Sequence, residues 1–289
     1  MYLIIGCGFL GSYLVNCLKQ NTDERIIATY NTLKPCETDG VEYVRCDVAD
    51  PRDLKALLAL IHNEKPTVFW FAACHNIDYV FKNPEAARQI NVFALQNFLN
   101  GSDNIEKLFF SSTDCVYGEC AHGEKKSETS PLNPVNTYGV QKIEAEKEII
   151  KNGFTVTRLP FMIGKSLLSK PHFYDRIKEK LSRGESVEMI DGLSRSVLSY
   201  KKTAEILYAL SRKDGVPQVI NVCGDDSYTK YEMGLKLAAH FGADSSLIEK
   251  ISEEEGRKFF VDRRASSGVM DNTLLKNILE AKEIKWECE

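Results

Sequence analysis

Short apolar runs alternate with longer segments of helical periodicity through the first 160 residues. Each run has five or six residues and is rich in β-branched and aromatic side chains, as in a buried strand. The predicted strands are residues 2–6, 25–30, 41–45, 67–72, 106–111 and 154–159. The predicted helices between them are residues 9–20, 51–62, 84–100 and 136–151. Strands that alternate with helices need crossover connections, so the pattern predicts a parallel sheet in a doubly wound α/β fold.

The second half of the chain follows a looser pattern. After Pro160 the predicted helices are residues 172–183, 201–212, 229–241 and 272–280. The predicted strands there are short, at residues 187–190, 196–199 and 217–222. We therefore expect two domains, residues 1–160 and residues 161–289. The second should be a smaller, mixed α/β domain that can return a strand or a helix to the first sheet.

A glycine-rich motif lies directly after the first predicted strand. Gly6, Gly8 and Gly11 form a G-x-G-x-x-G pattern that opens the first predicted helix. In such a motif the first glycine permits a tight turn, the second lets the backbone approach a pyrophosphate, and the third allows close helix–strand packing. The helix N-terminus adds free N–H groups and a partial positive charge. The motif predicts a Rossmann-type dinucleotide-binding domain, and the alternative is that the glycines serve only a tight turn.

The end of the second predicted strand bears on which dinucleotide binds. An NAD site favours a carboxylate about 20 residues after the glycines, where it holds the ribose 2′-hydroxyl. Here the strand ends at Asn31 without a carboxylate, and Lys34 and Arg45 are the cations that can meet a 2′-phosphate. The sequence therefore favours NADP(H), with NAD(H) as the alternative. Asp47 stands where an adenine amino group can be met; the alternative is an aspartate that simply leads the next helix.

Tyr138 and Lys142 are four residues apart near the start of a predicted helix, so they share one face of it. A phenol with its ordinary pKa near ~10 is a poor acid–base catalyst at neutral pH. A lysine ammonium one turn away, with a nicotinamide cation nearby, would lower that pKa and position the proton. A surface pair is the usual explanation of this spacing. The glycine motif and the hydroxyl-rich strand end at residues 111–113 favour the catalytic explanation.

The bulk composition argues against several classes of protein. The 289 residues carry a net charge of −4 and no basic stripe, which argues against a nucleic-acid partner. The nine cysteines are scattered without C-x-x-C spacing, so we expect neither a disulfide framework nor a metal site. No apolar run approaches ~20 residues, so we expect no membrane partner and a cytoplasmic location.

The chain resembles the extended short-chain dehydrogenases/reductases, which include the nucleotide-sugar epimerases, dehydratases and reductases. The stretches that carry the resemblance are IIGCGFLGSYL, CDVAD, FAACHNID, NPEAARQINV, FFSSTDCVYGE, NTYGVQKIEAE, TRLPFMIG and INVCG. The glycine motif departs slightly from the family's G-x-x-G-x-x-G, because Ile5 stands at the first glycine and Gly6 follows one place later. The resemblance implies an NAD(P)-dependent oxidoreductase.

The family's catalytic set is a serine or threonine, a tyrosine and a lysine. The resemblance places these at Thr113, Tyr138 and Lys142. Thr113 would hydrogen-bond the substrate oxygen, Tyr138 would exchange its proton, and Lys142 would hold the nicotinamide ribose. The resemblance also implies further contacts along the cofactor groove, at Phe9, Leu10, Asn31, Val48, Ala72, Ala73, Asn91 and Pro160.

Cys115 distinguishes between subgroups of the family. The sugar-nucleotide dehydratases carry Thr-Asp-Glu, whose glutamate is a base, whereas here Thr113 and Asp114 are followed by a thiol. Dehydration is therefore disfavoured. The stretch instead resembles the S-T-D-Y-V-F pattern of dTDP-4-dehydrorhamnose reductases, and AACHNID resembles their A-A-Y-T-x-V-D, which ends here at Asp78. The resemblance places His75 and Asp114 beside the substrate.

The second half implies an arginine clamp for a nucleotide diphosphate. DGLSRSVLSYKKTAEI resembles a stretch of the epimerases and places Arg195 at the diphosphate. DRRASSGVMD offers Arg263 or Arg264 as the second arm, and bidentate arginine–phosphate geometry suits this role. For each arginine the alternative is a solvated surface side chain. Relatives in the family often pair through the helices that here carry Asn91 and Tyr138, so a homodimer is one expected assembly.

Three functions are compatible with these features. The first is an NADPH-dependent reductase of a 4-keto nucleotide sugar, of the kind used in polysaccharide biosynthesis, with Tyr138 as proton donor. The alternative enzyme is a nucleotide-sugar 4-epimerase that keeps NAD bound. The alternative of another class is a non-catalytic, nucleotide-binding regulatory subunit. An intact set of Thr113, Tyr138 and Lys142 disfavours the last, because a binding protein does not need all three.

Overall fold

The computed structural model describes residues 1–121 and 123–288. Its strands are β1 (Tyr2–Ile5), β2 (Ile26–Tyr30), β3 (Val41–Arg45), β4 (Thr67–Trp70), β5 (Lys107–Thr113), β6 (Thr155–Leu159), β7 (Phe161–Ile163), β8 (Val187–Ile190), β9 (Ser194–Ser199), β10 (Val219–Asn221), β11 (Ser227–Tyr228), β12 (Ile248–Ile251) and β13 (Ser267–Gly268). Its α-helices are α1 (Phe9–Asn21), α2 (Pro51–Ile61), α3 (Ile77–Lys82), α4 (Pro84–Arg88), α5 (Ala94–Asn100), α6 (Thr137–Lys151), α7 (Phe173–Ser182), α8 (Tyr200–Ser211), α9 (Lys230–Phe241), α10 (Glu253–Arg257) and α11 (Thr273–Leu279).

Seven of the strands form one parallel sheet, in the order β10-β6-β5-β4-β1-β2-β3. This confirms the predicted Rossmann-type, doubly wound α/β fold. The strand order reverses beside β1, which pairs with β2 on one side and with β4 on the other. Ligands bind outside the carboxyl ends of the strands at such a reversal. β10 lies beyond residue 160 in the chain and extends the same sheet by pairing with β6.

Helices cover both faces of this sheet, which explains why its strands are nearly continuous apolar runs. All four residues of β1 are buried. Ile4 belongs to an apolar cluster with residues of α1 and α8, and Leu3 belongs to a second cluster with residues of α2, α5 and α6. The two clusters fix the carboxyl ends of β1, β4 and β5 side by side.

The predicted helix at residues 84–100 is interrupted near its middle. α4 and α5 are joined by a π-helical turn, Gln89–Phe93. Asn91 lies in this turn and is buried. A π-turn of this kind often marks a functional site. The periodicity of the sequence does not reveal it, because the side-chain bonds that Asn91 makes are to residues distant in the chain.

The second half adds a smaller layer of short elements. β7, β11 and β13 each pair with β9, and β12 pairs with β8. Ile177 of α7 and Leu237 of α9 belong to the apolar cluster that covers these strands. β7, β11, β12, β13, α3 and α10 are not among the predicted elements, because runs of two to six residues carry little periodicity. Within residues 1–121 and 123–288, no helix has both the length and the apolar character needed to cross a bilayer.

Candidate active site

The glycine motif forms the turn between β1 and α1, and each glycine meets a different steric demand. Gly6 has a φ of +92°, and a Cβ on it would lie 2.5 Å from the Ala72 nitrogen. A Cβ on Gly11 would lie 3.1 Å from the Gly6 carbonyl oxygen. A Cβ on Gly8 would meet nothing within 4 Å. Gly8 therefore leaves an open cradle at the N-terminus of α1, which is the shape that the pyrophosphate of a dinucleotide needs.

Neighbouring elements hold this loop in place. The Gly6 nitrogen donates to Thr29 Oγ1 at 3.0 Å, and Thr29 belongs to β2. Leu10 is buried in the core beneath α1. Phe9 is only partly buried, and its ring centre lies 4.2 Å from that of His172. Leu10 thus anchors the start of α1, while Phe9 lies at the rim of the cradle.

The predicted 2′-phosphate contacts lie at the ends of β2 and β3. Asn31 is exposed, and Lys34 forms an exposed ion pair with Glu37. Arg45 Nη1 lies 3.6 Å from Asp53 Oδ2. Both cations are exposed, although Asp53 is partly buried, and ion pairs at the surface contribute little free energy, so both cations are available to a stronger anion.

The segment after β3 is ordered by its own hydrogen bonds. Asp47 accepts from the Ala49 nitrogen at 3.0 Å, and the Asp47 nitrogen donates to Asp53 at 2.8 Å. Val48 is buried between them. Asp47 thus accepts from a loop nitrogen, whereas the side chain that caps α2 is that of Asp50, and the adenine contact of Asp47 stays a prediction.

Thr113 is the last residue of β5, at the carboxyl edge of the sheet. Its Oγ1 accepts from the Cys115 nitrogen at 3.2 Å and donates to Asp114 Oδ1 at 3.0 Å. These bonds tie the hydroxyl to the short 3₁₀ turn, Asp114–Val116, that follows the strand. The polar residues at this strand end are therefore ordered by bonds among themselves.

Tyr138 and Lys142 lie one turn apart on α6, and the side chain of Asn136 caps the first turn of that helix. Tyr138 is buried and packs beside Cys115. Lys142 is also buried, and its Nζ lies 4.2 Å from the centre of the Phe110 ring on β5. The structure thus brings Tyr138 and Lys142 to the strand end that carries Thr113.

Burial controls the protonation of this pair. Desolvation raises the pKa of Tyr138 well above its ordinary value, and the nearby Cys115 and Asp114 act in the same direction. Desolvation lowers the pKa of Lys142 to about 7, against an opposing effect of Glu146. The predicted lowering of the Tyr138 pKa is therefore not found for the protein by itself, because the cost of burying a phenolate outweighs a nearby lysine.

A buried polar network lies beneath the pair. Arg158 on β6 and Glu146 on α6 form a doubly hydrogen-bonded ion pair at 2.7 and 3.1 Å, and Ser112 donates to the same carboxylate. Arg158 also donates to the Tyr117 hydroxyl at 2.8 Å. The network joins β5, β6 and α6 below the site. Sequence reasoning missed it, and its only signal was that Glu146 follows Lys142 by one helical turn.

The other predicted cofactor contacts lie along the edge of the sheet. Asn91 Oδ1 accepts from the Cys74 nitrogen at 2.8 Å, so it holds the segment that follows β4. Ala72 and Ala73 lie in that segment, with Ala72 against Gly6. Pro160 is buried between β6 and β7. His75 has an exposed side chain just beyond Ala73.

Two of the three predicted clamp arginines are engaged within the protein. Arg195 Nε lies 3.6 Å from Asp114 Oδ2, and Arg195 Nη2 donates to the Ala265 carbonyl at 2.6 Å. Arg264 Nη2 donates to Asp78 at 3.0 Å. Both arginines line a cavity of only about 10 Å³ beside Asp114. Arg263 has an exposed side chain and does not line this cavity.

The sequence model of one known family matches most of the chain. It covers residues 2–223 and is described as the NAD dependent epimerase/dehydratase family. The chain belongs to this family. The match spans the glycine motif, the end of β5 and the Tyr138–Lys142 helix, and it confirms the resemblance inferred from those motifs.

Individual relatives carry different names. The methionine adenosyltransferase 2 subunit beta of Xenopus tropicalis is 26% identical over 262 residues, which cover 87% of this chain and 75% of that protein. A solved hypothetical dTDP-4-dehydrorhamnose reductase from Sulfolobus tokodaii has a TM-score of 0.80 at 22% identity, covering 99% of this chain and 98% of that one. The UDP-glucose 4-epimerase of Thermus thermophilus, solved with NAD, has a TM-score of 0.84 at 19% identity, covering 99% and 95%. At these identities the structural likeness shows the fold alone.

Proposed function

We propose that this protein is an NADPH-dependent reductase of a 4-keto nucleotide sugar. One observation carries the proposal: a buried tyrosine that keeps its proton lies at a strand end where the position of the dehydratase base holds a thiol. The phenol of Tyr138 is protonated at neutral pH, and desolvation raises its pKa further, so the charges of Lys142 and of a bound cofactor have to offset that rise when the proton is given up. Desolvation also raises the pKa of Cys115 to about 12, so the thiol stays neutral.

Each residue of the set has a task in such a reduction. A reduced nicotinamide, when bound, supplies the hydride. Tyr138 gives its proton to the carbonyl oxygen, and Thr113 holds that oxygen by a hydrogen bond. Lys142 holds the ribose of the cofactor and stabilises negative charge on the phenolate that remains. A 4-epimerase must first take a proton from the substrate, and a phenol with a raised pKa is poorly suited to that first step.

The same site favours NADPH over NADH. Residues 28–32 offer no carboxylate to a ribose 2′-hydroxyl, whereas Lys34 and Arg45 lie at the neighbouring strand ends. Glu37, which is exposed, and Asp53, which is partly buried and 3.6 Å from Arg45, compete only weakly with a phosphate dianion, because ion pairs near the surface contribute little free energy. NAD(H) is the alternative cofactor, and it is the one named with the Thermus thermophilus epimerase.

The experiment is a reduction assay with a 4-keto-6-deoxy nucleotide sugar, prepared with either a dTDP or a UDP carrier. Consumption of NADPH and formation of the 4-hydroxy product should both depend on the wild-type protein. Tyr138→Phe is the matched control, since it removes one oxygen and almost no volume. A protein that co-purifies with tightly held NAD and interconverts two 4-epimers without net consumption of cofactor would be the epimerase instead.

A second candidate, a nucleotide-binding regulatory subunit, has one specific observation in its favour. The cavity between Asp114 and the predicted clamp arginines is about 10 Å³, so this conformation leaves little room there for a diphosphate. The Xenopus tropicalis relative, which is named as a subunit of another enzyme, is in line with the same function. The test is a measurement of methionine adenosyltransferase activity with and without this protein. A change in that activity, together with no reduction of the 4-keto nucleotide sugars, would establish the regulatory function and contradict the reductase proposal.

A further inference from the structure

The space between Asp114 and the predicted clamp arginines is nearly filled by the protein itself. Its residual cavity is about 10 Å³, which is room for a single water molecule. Ligand pockets for small molecules generally have volumes of about 300–1,000 Å³. A diphosphate that is to sit between these arginines therefore needs part of the wall to move.

One part of this wall is a segment that we call the strap, residues 259–266, between α10 and β13. Arg264 and Ala265 of the strap line the cavity directly. The carbonyl of Ala265 also accepts from Arg195 at 2.6 Å, so the strap holds that arginine in its inward position. Displacement of the strap would enlarge the cavity and release Arg195 together.

One carboxylate oxygen on α3 accepts three hydrogen bonds from the strap. Asp78 Oδ1 accepts from the Val261 nitrogen at 3.1 Å, the Asp262 nitrogen at 3.0 Å and Arg264 Nη2 at 3.0 Å. These residues are more than 180 positions away in the chain, at separations of 183, 184 and 186. Three donors on one ionised oxygen make Asp78 the main polar anchor of this end of the strap.

The strap also touches the first turn of the catalytic helix. Asp262 Oδ2 accepts from the Thr137 nitrogen at 3.2 Å, and Asn136 Nδ2 donates to the Arg263 carbonyl at 3.2 Å. Tyr138 is the next residue of that helix. A strap docked on Asp78 is therefore held against the turn of α6 that carries Tyr138, the proposed proton donor.

Two of the three large apolar side chains of the strap contribute little to its docking, whereas the Phe260 ring is partly buried and its centre lies 4.7 Å from the Arg264 guanidinium carbon. Phe259 and Val261 are 63% and 53% exposed, so these two large apolar side chains gain little from the docked position. At the other end, the Ser266 nitrogen donates to Glu119 at 2.8 Å and Ser266 Oγ donates to Glu253. A segment with polar anchors, exposed apolar side chains and one fixed end opens locally at a lower cost than the whole domain.

We propose that Asp78 is a positioning residue for the substrate site: it docks the strap, and release of the strap from Asp78 admits the nucleotide sugar. The identity of that ligand rests on the proposed function, whereas the docking itself does not. Asp78 places Arg264 and, through Ala265, Arg195 at the substrate. It does not itself touch the reacting atoms.

The first test is hydrogen exchange of the peptide that contains Val261 and Asp262. Asp78→Ala should speed exchange of those amides by at least about tenfold. Asp78→Asn keeps an acceptor oxygen and should restore exchange to within about threefold of the wild type. Glu144→Gln is the matched control, because it also neutralises a paired carboxylate, and the ion pair that it removes, with Arg88 at 2.9 Å, does not involve the strap. Equal exchange in the wild type and Asp78→Ala would overturn the docking role.

The second test uses UDP-glucose and dTDP-glucose as probes in rapid-mixing binding experiments. Asp78→Ala should increase both association and dissociation rate constants by about tenfold, because the closed state is lost and the arginines are no longer held. An unchanged association rate would overturn the gating role. Failure of the wild type and every variant to bind either probe would overturn gating and the proposed function together. Tight binding of either probe, without any reduction of a 4-keto nucleotide sugar, would contradict the reductase proposal alone, because neither hydrogen exchange nor probe binding requires turnover.

Discussion

Lys142 follows Tyr138 by one turn of α6, and its buried Nζ lies 6.0 Å from the centre of the Tyr138 ring. Desolvation moves their pKa values in opposite directions, raising that of Tyr138 and lowering that of Lys142 to about 7. The pair therefore holds a protonated phenol beside a lysine near its titration midpoint at neutral pH. In the proposed reduction Tyr138 is the proton donor, and a bound cofactor is needed to offset its raised pKa and to stabilise the charge left behind.

The buried lysine predicts an unusual pH dependence of stability. An unfolded lysine titrates near 10.5, whereas folded Lys142 has its pKa lowered to about 7. The unfolded state therefore binds more protons between these values, so stability rises with pH across that window. The cost of charging Lys142 is fully present below pH ~7 and is relieved as pH rises towards ~10.

Lys142→Met should remove this cost. In thermal unfolding the variant should exceed the wild-type Tm by at least ~2 °C at pH ~6, with a smaller difference at pH ~10. Lys147→Met is the control, because Lys147 is exposed on the same helix. The same Tm difference at both pH values would show that Lys142 does not titrate as a buried group.

Glu146→Gln should destabilise the protein strongly. It leaves the Arg158 guanidinium buried without its anionic partner, a change that typically costs about 3–5 kcal/mol. Glu144→Gln, which breaks the half-exposed pair with Arg88, should cost less than about 1 kcal/mol. Urea unfolding of both variants gives the comparison. Equal losses would mean that the buried pair is not anchoring β6 to α6.

The periodicity of the sequence predicted the parallel sheet and indicated that the candidate site residues lie at its carboxyl edge. Gly6, Gly8 and Gly11 were recognisable because their demands are local: a positive φ, an open approach and a close helix contact. The spacing of Tyr138 and Lys142 was likewise enough to place both on one helical face. These features depend on a few neighbouring residues, so they can be inferred without the fold.

Contacts between distant residues could not be predicted in this way. Asp78 matches a family motif, but nothing in that motif indicates the strap residues that dock on it 183 or more positions later. The partner of Glu146 was equally hidden, because Arg158 comes from a separate strand. The raised pKa of Tyr138 follows from burial, which a spacing rule that considers only the nearby Lys142 does not include.

Cys115→Ser should keep most of the activity. The thiol has a pKa raised to about 12, so it is neutral at working pH and takes no proton in the proposed reaction. A hydroxyl is similar in size and also donates a hydrogen bond. Steady-state turnover should change by less than about tenfold; a loss of ~100-fold or more, typical of a removed acid–base group, would assign the thiol a chemical role.

Arg45→Ala and Lys34→Ala should each weaken NADPH binding while leaving NADH binding nearly unchanged. Loss of one charged contact to a phosphate corresponds to about tenfold in affinity. Fluorescence titration with both nucleotides measures the ratio directly. Lys55→Ala, at an exposed position of α2, is the control for a general change in surface charge. Tighter binding of NADH than NADPH by the wild type would refute the 2′-phosphate contacts.

Tyr138→Phe tests the central claim most directly. The variant loses the hydroxyl that we propose protonates the carbonyl oxygen, and it loses almost no volume, so folding and cofactor binding should survive. Turnover of a 4-keto nucleotide sugar with NADPH should fall by about 10²–10⁴-fold, or roughly 3–5 kcal/mol of barrier, while NADPH affinity stays near the wild-type value. A Tyr138→Phe protein that reduces the sugar as fast as the wild type would contradict the reductase mechanism.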